Sequence, residues 1–307
     1  MMNFVSVGTH AMEMPHVFGS THTTPEELIS QTTELVSLPD IYVRIKTVIY
    51  DPNSTMSDVA DVLSHDPAIC ARMLKVANSA FFSVPSKVET VKAAIRLLGT
   101  QQVHDLVLAA TITKTFPEIP GNLISMEDYW VNSLRCGLLA RLLAGRCSST
   151  DGERIFLGSL LHDMGHLIMY QVIPEESQEA LIVARQDNRP LYEVERDIVG
   201  CDYGQVGSQL MQSWNFPENW VQAVRYQNEP ADARDFSFEA SIMHLAVRMK
   251  EMDSAAEVPD RDLSMIDPIA WEVTGLSEDM VEPLLIEADE QLGSAVETFL
   301  PEYRQYP

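Results

Sequence analysis

Apolar residues recur at three- and four-residue steps through almost the whole of this chain, and the two-residue alternation of a half-buried strand is hardly visible. Ile69, Met73, Val76, Ala77 and Ala80 trace one helix face, and Val91, Ile95 and Leu98 a second that Gly99 ends. Val103, Leu106, Val107 and Ala110 make a third. From Trp130 the spacing continues through Leu134, Leu138 and Leu142, and Ile155 to Tyr170 is strongly apolar. Further helices are predicted near 175–187, 190–199, 204–213, 217–227 and 237–251. Pro174, Pro190, Pro217 and Pro230 fall between them, where a missing N–H does least harm. The pattern predicts an all-α fold.

Local punctuation divides it. Thr24-Pro25-Glu26-Glu27 reads as a helix start, with Thr24 as the cap and Glu27 as the acid that reaches back to it. Asp66-Pro67 repeats the cap-then-proline signal. Pro117 and Pro120-Gly121 break the pattern twice in a few residues, which predicts a subdomain boundary. Two packed helical subdomains are expected, at residues 24–120 and 121–252. A flexible tail, 1–23, precedes them, and an acidic helical extension, 253–307, follows. No internal repeat or low-complexity segment is visible.

Charge narrows the function. The 307 residues carry 21 Lys and Arg against 45 Asp and Glu, a net of −24, so phosphate-backbone binding through a broad basic face is not expected. Residues 251–307 hold 15 of the acids and only Arg261 and Arg304 as bases. Removing 253–307 is therefore expected to weaken partner binding and leave the core folded. No early basic region marks a secretory or transit signal, the first base being Arg44, and no apolar run approaches the roughly 18 residues of a membrane span. Cys70, Cys136, Cys147 and Cys201 lie far apart with no C-x-x-C pair, which reads as reduced thiols in a cytoplasmic protein.

Neither a phosphate-binding glycine loop nor a G-x-S-x-G elbow is present. The segment that asks for chemistry is Gly158-Ser-Leu-Leu-His162-Asp163-Met-Gly165-His166, with three polar side chains inside an otherwise apolar helix. Burying them among leucines costs several kcal/mol unless they are paired or metal-bound. His162 and His166, four apart, could grip zinc as in H-E-x-x-H, but Asp163 is shorter than the usual Glu and Gly165 weakens the helix. His162-Asp163 as adjacent ligands would need more donors from other helices. The plain alternative is a satisfied buried pair, His162 donating to Asp163 or to a carbonyl. His10, His16 and His22 read as solvated tail residues, His65 and His104 as surface or capping residues, and Phe81-Phe82 as part core and part contact surface.

Over about residues 28–250 the chain resembles the HDOD family and, behind it, the HD phosphohydrolase superfamily. Leu38-Pro39, Asp66-Pro67-Ala68, Leu74-Lys75-Val76-Ala77-Asn78-Ser79-Ala80 and Ala94-Ile95-Arg96-Leu97-Leu98-Gly99 match its pattern in order. Leu160-Leu161-His162-Asp163-Met164-Gly165 matches its HD helix, and Val206-Gly207 through Trp214-Asn215-Phe216-Pro217 the segment that follows. The resemblance implies that the second subdomain is HD-phosphohydrolase-like. It also sets out the departures from an active enzyme. The preceding helix should offer a metal-binding histidine, and the best match is Asn132; a later helix should close the cage with an acid, and the best match is Val247. Tyr203 and Tyr226-Gln227 stand where relatives often carry extra histidines. His162 and Asp163 are left as vestigial metal candidates, and a substitute such as His166 or Asp197 would be needed to rescue a weak site.

The family resemblance thus implies a bacterial signal-transduction module that binds protein partners without catalysis. The family often joins this unit to receiver, cyclic-diguanylate or kinase-related modules; none is visible here, so a standalone adaptor or a partner in trans is expected. No cofactor is expected. The alternative is a metal-dependent phosphohydrolase acting on a nucleotide or cyclic nucleotide, which would hold Mn, Fe, Ni, Zn or Mg at His162 and Asp163. A third option is sensing of a small ligand such as a cyclic dinucleotide in the cleft between the helical subdomains. The acidic helices from about Ser277 offer a surface to a basic partner.

Overall fold

A computed structural model describes residues 22–32, 38, 40–79, 87–112, 116, 119, 123–147, 152–253 and 263–301. The tail expected over 1–23, with His10 and His16, lies outside these residues except at its last two positions, and Phe81-Phe82 lies outside them altogether. Among the described residues sixteen α-helices and no strands are found. Pro25–Thr32 (α1), Asp40–Tyr50 (α2), Met56–Ser64 (α3), Pro67–Ala77 (α4), Val91–Leu98 (α5) and Thr100–Ile112 (α6) come first. Met126–Arg146 (α7), Gly152–Leu160 (α8), Met164–Val172 (α9), Pro174–Asp187 (α10), Leu191–Ile198 (α11), Tyr203–Ser213 (α12) and Glu218–Arg225 (α13) follow. Ser237–Asp253 (α14), Pro268–Thr274 (α15) and Val281–Phe299 (α16) complete the chain.

The caps explain many of these boundaries. Thr24 and Glu27 exchange backbone-to-side-chain bonds of 3.0 and 3.3 Å at the start of α1. Asp66 accepts from the amides of Ala68 and Ile69 ahead of Pro67, and Thr55 with Asp58 closes a capping box on α3. Gly99 stops α5 at a φ of +88°, a conformation that costs glycine nothing. His65 fulfils the capping role expected of it, its Nδ1 lying 2.6 Å from the carbonyl oxygen of Asp61.

Helix α7 is the axle of the second half, packing against α8, α14 and α16, while α12 lies against α9, α13 and α1. In the first half α2 packs on α3 and α6, and α4 on α6. One large apolar core runs through both halves, from Leu28 to Leu300, with a small satellite of Ala180, Ala184 and Val194 between α10 and α11. All four cysteines are free, and burial pushes the Cys136 and Cys201 thiols up to about 12, which leaves them protonated and inert.

Helix α16 departs from expectation. Rather than standing apart as a solvated acidic surface, it buries Val281, Leu284, Leu285, Ala288, Ala295, Val296 and Phe299, and the Phe299 ring lies 5.2 Å from that of Phe156 in α8. Its acids are partly claimed within the molecule: Glu287 pairs with Arg146 at 2.8 Å and Asp289 with Arg135. At its end, Arg72 and Lys75 of α4 donate to the carbonyls of Phe299 and Glu297, cations placed at the negative pole of the helix. The exposed pairs contribute little, so apolar burial holds α16 in place. Removal of 253–307 would strip this cover from α7 and α8 instead of sparing the core. Phe299→Ala should lower unfolding stability by about 3–5 kcal/mol, read by urea denaturation; a loss below about 1 kcal/mol would mean that α16 is only loosely attached.

Candidate functional site

The segment read as one helix is two. Helix α8 stops at Leu160, α9 starts at Met164, and Leu161, His162 and Asp163 form the turn between them. Gly165 explains the geometry. A Cβ built there would lie 1.8 Å from the Tyr203 carbonyl oxygen, and one on Gly207 would meet the Gly165 backbone, so α9 and α12 cross backbone to backbone. The glycine that weakens the helix in isolation is needed for this crossing.

His162 is 1% exposed. Its Nδ1 lies 2.8 Å from the Ser159 carbonyl, which can only accept, so Nδ1 carries the proton and Nε2 offers a lone pair. That lone pair faces Lys250 Nζ of α14 at 3.2 Å. Burial, reinforced by Lys250, pushes the ring down to about 3, so His162 is neutral. Of the two partners predicted for a satisfied pair, the carbonyl is the one used. Gln227, buried in the turn after α13, donates to the His162 carbonyl at 2.9 Å.

Asp163 turns to His166, whose Nδ1 lies 2.5 Å from its Oδ1; on the other side His166 Nε2 lies 2.8 Å from Glu195 Oε1 of α11. With a carboxylate at each nitrogen, both must donate, and the ring is an imidazolium. Burial opposes that charge, but Tyr170, Asp163 and Glu195 around it outweigh burial and hold the His166 pKa well above its usual value. Burial would likewise raise the Asp163 pKa, yet His166, with His162 and Lys250 beyond, brings it well below the carboxylate range. The imidazolium is sandwiched between the rings of Tyr203 at 4.1 Å and Tyr170 at 5.2 Å, a cation–π arrangement. Glu195 Oε2 also accepts from the Tyr203 amide at the start of α12.

Several expectations need correction. His162 and His166 do not converge, because His166 is engaged by two carboxylates, so the H-x-x-x-H zinc reading fails. Asp197 is not a substitute: its side chain is 61% exposed and pairs with Arg189, and Glu195, two residues earlier, faces the site. Asn132 lies on the exposed side of α7, so that helix presents no ligand there. Val247 is buried. His104, expected at the surface, is 4% exposed, with Asp105 Oδ1 at 3.0 Å and the Tyr42 ring 4.7 Å away. The residues that sequence reasoning missed are Glu195 and Lys250. Each is a charged residue at an apolar position of its helix, Glu195 among Leu191, Val194 and Ile198, and Lys250 after Met243, Ala246 and Val247.

Helix α14 supplies the rest. Arg248 pairs with Glu251 at 2.7 Å and donates to Asn228 Oδ1 at 2.7 Å, and Asn228 also accepts from the Tyr203 hydroxyl. His244 Nε2 accepts from the Asp267 amide, so its Nδ1 carries the proton and donates to the Gln227 carbonyl. The space enclosed is about 90 Å³, lined by Asp163, His166, Leu191, Tyr192, Tyr203, Arg248, Lys250 and Glu251. That is room for a few water molecules, well short of the roughly 300 Å³ at which organic-ligand sites begin. A divalent ion does not fit the donors present. The His162 lone pair already faces an ammonium, Asp163 is bound to His166, and no group of three His, Cys, Asp or Glu among the described residues converges on a metal position.

The crossing at Gly165 and the buried histidine–aspartate turn define a class, helical proteins of the HD type. A family model of the HDOD domain matches residues 35–230, and the chain belongs to the HDOD family. Among solved structures it is similar to a candidate phosphohydrolase from Shewanella amazonensis, at 26% identity and a TM-score of 0.69 over 90% of this chain and 97% of that one. A candidate signal transduction protein from Marinobacter aquaeolei is 22% identical, with a TM-score of 0.65, over 91% of this chain and 61% of that one. An uncharacterized protein from Treponema pallidum is 20% identical over 256 residues, 77% of this chain and 49% of that protein, so the chain spans about half the length of this curated relative.

The histidines set the response to pH. Burial holds His244 at about 4, and His162 is held at about 3, against about 6.5 for an unfolded histidine. Both rings fold neutral, so their contribution is intact above about pH 6.5 and is lost as the pH falls from there toward 4. His166, with its pKa raised, contributes below about pH 6.5 and loses that contribution as the pH rises through its folded value. His244→Asn, which cannot titrate, should flatten the acid-side decline by about one proton, or about 1.4 kcal/mol per pH unit, in urea unfolding between about pH 4 and 6.5. Parallel curves would show that His244 is not held neutral.

Proposed function

We propose that this HDOD protein is a cytoplasmic bacterial signal-transduction module that works through protein–protein contacts and hydrolyses no phosphoester. The observation that carries the reading is Lys250, whose ammonium faces the His162 nitrogen that a metal would need. His162 and Asp163 then serve as a structural pair within an internally neutralised cluster. The small enclosed volume agrees, since a nucleotide would have to displace the side chains that form the cluster. Membrane insertion is not part of the reading, as no helix among the described residues is long and apolar enough to cross a bilayer. The partner-facing surface is the acid of α16 that is not used internally, which favours a basic protein partner.

The rival is a metal-dependent phosphohydrolase; the Shewanella relative is named a phosphohydrolase. Protein purified without added metal should contain only substoichiometric Mn, Fe, Ni or Zn by elemental analysis. Its hydrolysis of bis(p-nitrophenyl) phosphate should equal that of His162→Ala and Asp163→Ala. Full metal occupancy, or turnover abolished by both substitutions, would sink the non-catalytic reading.

A further inference from the structure

A larger opening among the described residues lies away from the HD turn. A cleft of about 730 Å³ runs between α2 on one side and α1 with α12 on the other, walled by Ile29, Val43, Tyr50, Leu210 and Trp214. Among the described residues no carboxylate lines it, in a chain with a net charge of −24. Among the described residues that line it the one cation is Lys46, whose ammonium donates to the carbonyls of Trp214 and Asn215 at 2.8 Å each, leaving a third N–H. Among the described residues no acid pairs with Lys46, and partial burial lowers its pKa. We propose that this cleft binds a small organic monoanion with an apolar aromatic or acyl body, its anionic group on Lys46.

Three observations fix that ligand class. The volume falls within the roughly 300–1,000 Å³ of organic-ligand sites, and the walls are apolar with one charged anchor. The anchor is positive in a chain of net charge −24, so it supplies local attraction for an anionic group. One cation suits one negative charge, whereas a cyclic dinucleotide brings two. Because α1 packs on α12 and α2 on α3 and α6, an occupant would touch both helical layers. The proposal stands whether or not the HD turn is catalytic.

A matched pair of fluorescent probes tests it on the full chain: 8-anilinonaphthalene-1-sulfonate, an anion, and N-phenyl-1-naphthylamine, its uncharged counterpart. The sulfonate should saturate one site and bind about tenfold more tightly than the amine, the worth of one charge-assisted contact. Lys46→Met should erase that preference and leave amine binding in place. Val43→Trp, at a residue 46% exposed and so harmless to folding, should fill the cleft and weaken both probes about equally. Equal affinity for the two probes in the unmodified protein would overturn the proposal, as would a preference that survives Lys46→Met, which would leave Lys46 a cap for α12 and nothing more. Unaltered binding in Val43→Trp would overturn it too, by placing the probes elsewhere.

Discussion

At Gly165 the backbone of α9 meets that of α12 with no space for a side chain, and the centre of the protein is arranged around that contact. The crossing draws His166 under the ring of Tyr203 and brings the start of α12 within reach of Glu195. It also explains why the chain turns at Leu161–Asp163 instead of running through as one helix. An alanine at position 165 would drive its methyl group into a carbonyl oxygen, and because that oxygen belongs to backbone, relief would require one helix to move as a body.

The buried charges are organised as a closed set. His166 lies between Asp163 and Glu195, Lys250 enters from α14 beside His162, and Arg248 of α14 pairs with the half-exposed Glu251 at the rim. Charges removed from water are tolerated only when partners replace the lost hydration, and a set of this kind is far more sensitive to the loss of one member than to the replacement of all. The same residues that would look catalytic one at a time therefore account for one another.

Much of this was legible beforehand, for identifiable reasons. Helix spans depend on local periodicity and caps, so Asp66-Pro67, Thr24 with Glu27, and Gly99 marked their boundaries directly. His162 and Asp163 stood out as polar residues in an apolar run. What was hidden depends on which way a helix face turns in three dimensions. Asn132 sits in the register of a ligand but points outward, His104 looked solvated and is core, and α16 looked like a charged surface because its acids drew attention away from the apolar stripe that anchors it. Glu195 and Lys250 carried a readable signal, a charge on an apolar face, but matching sites across α11, α9 and α14 required the packing itself.

A cation carried on a side chain arrives with the polypeptide. Under the proposed reading, with Lys250 beside His162, the charge balance at the HD turn is supplied by the chain itself. The cluster would then be indifferent to metal starvation, to chelators and to the competition among divalent ions that governs the loading of metalloproteins. A metal at His162 would need Lys250 to leave the His162 nitrogen and further donors to enter beside it.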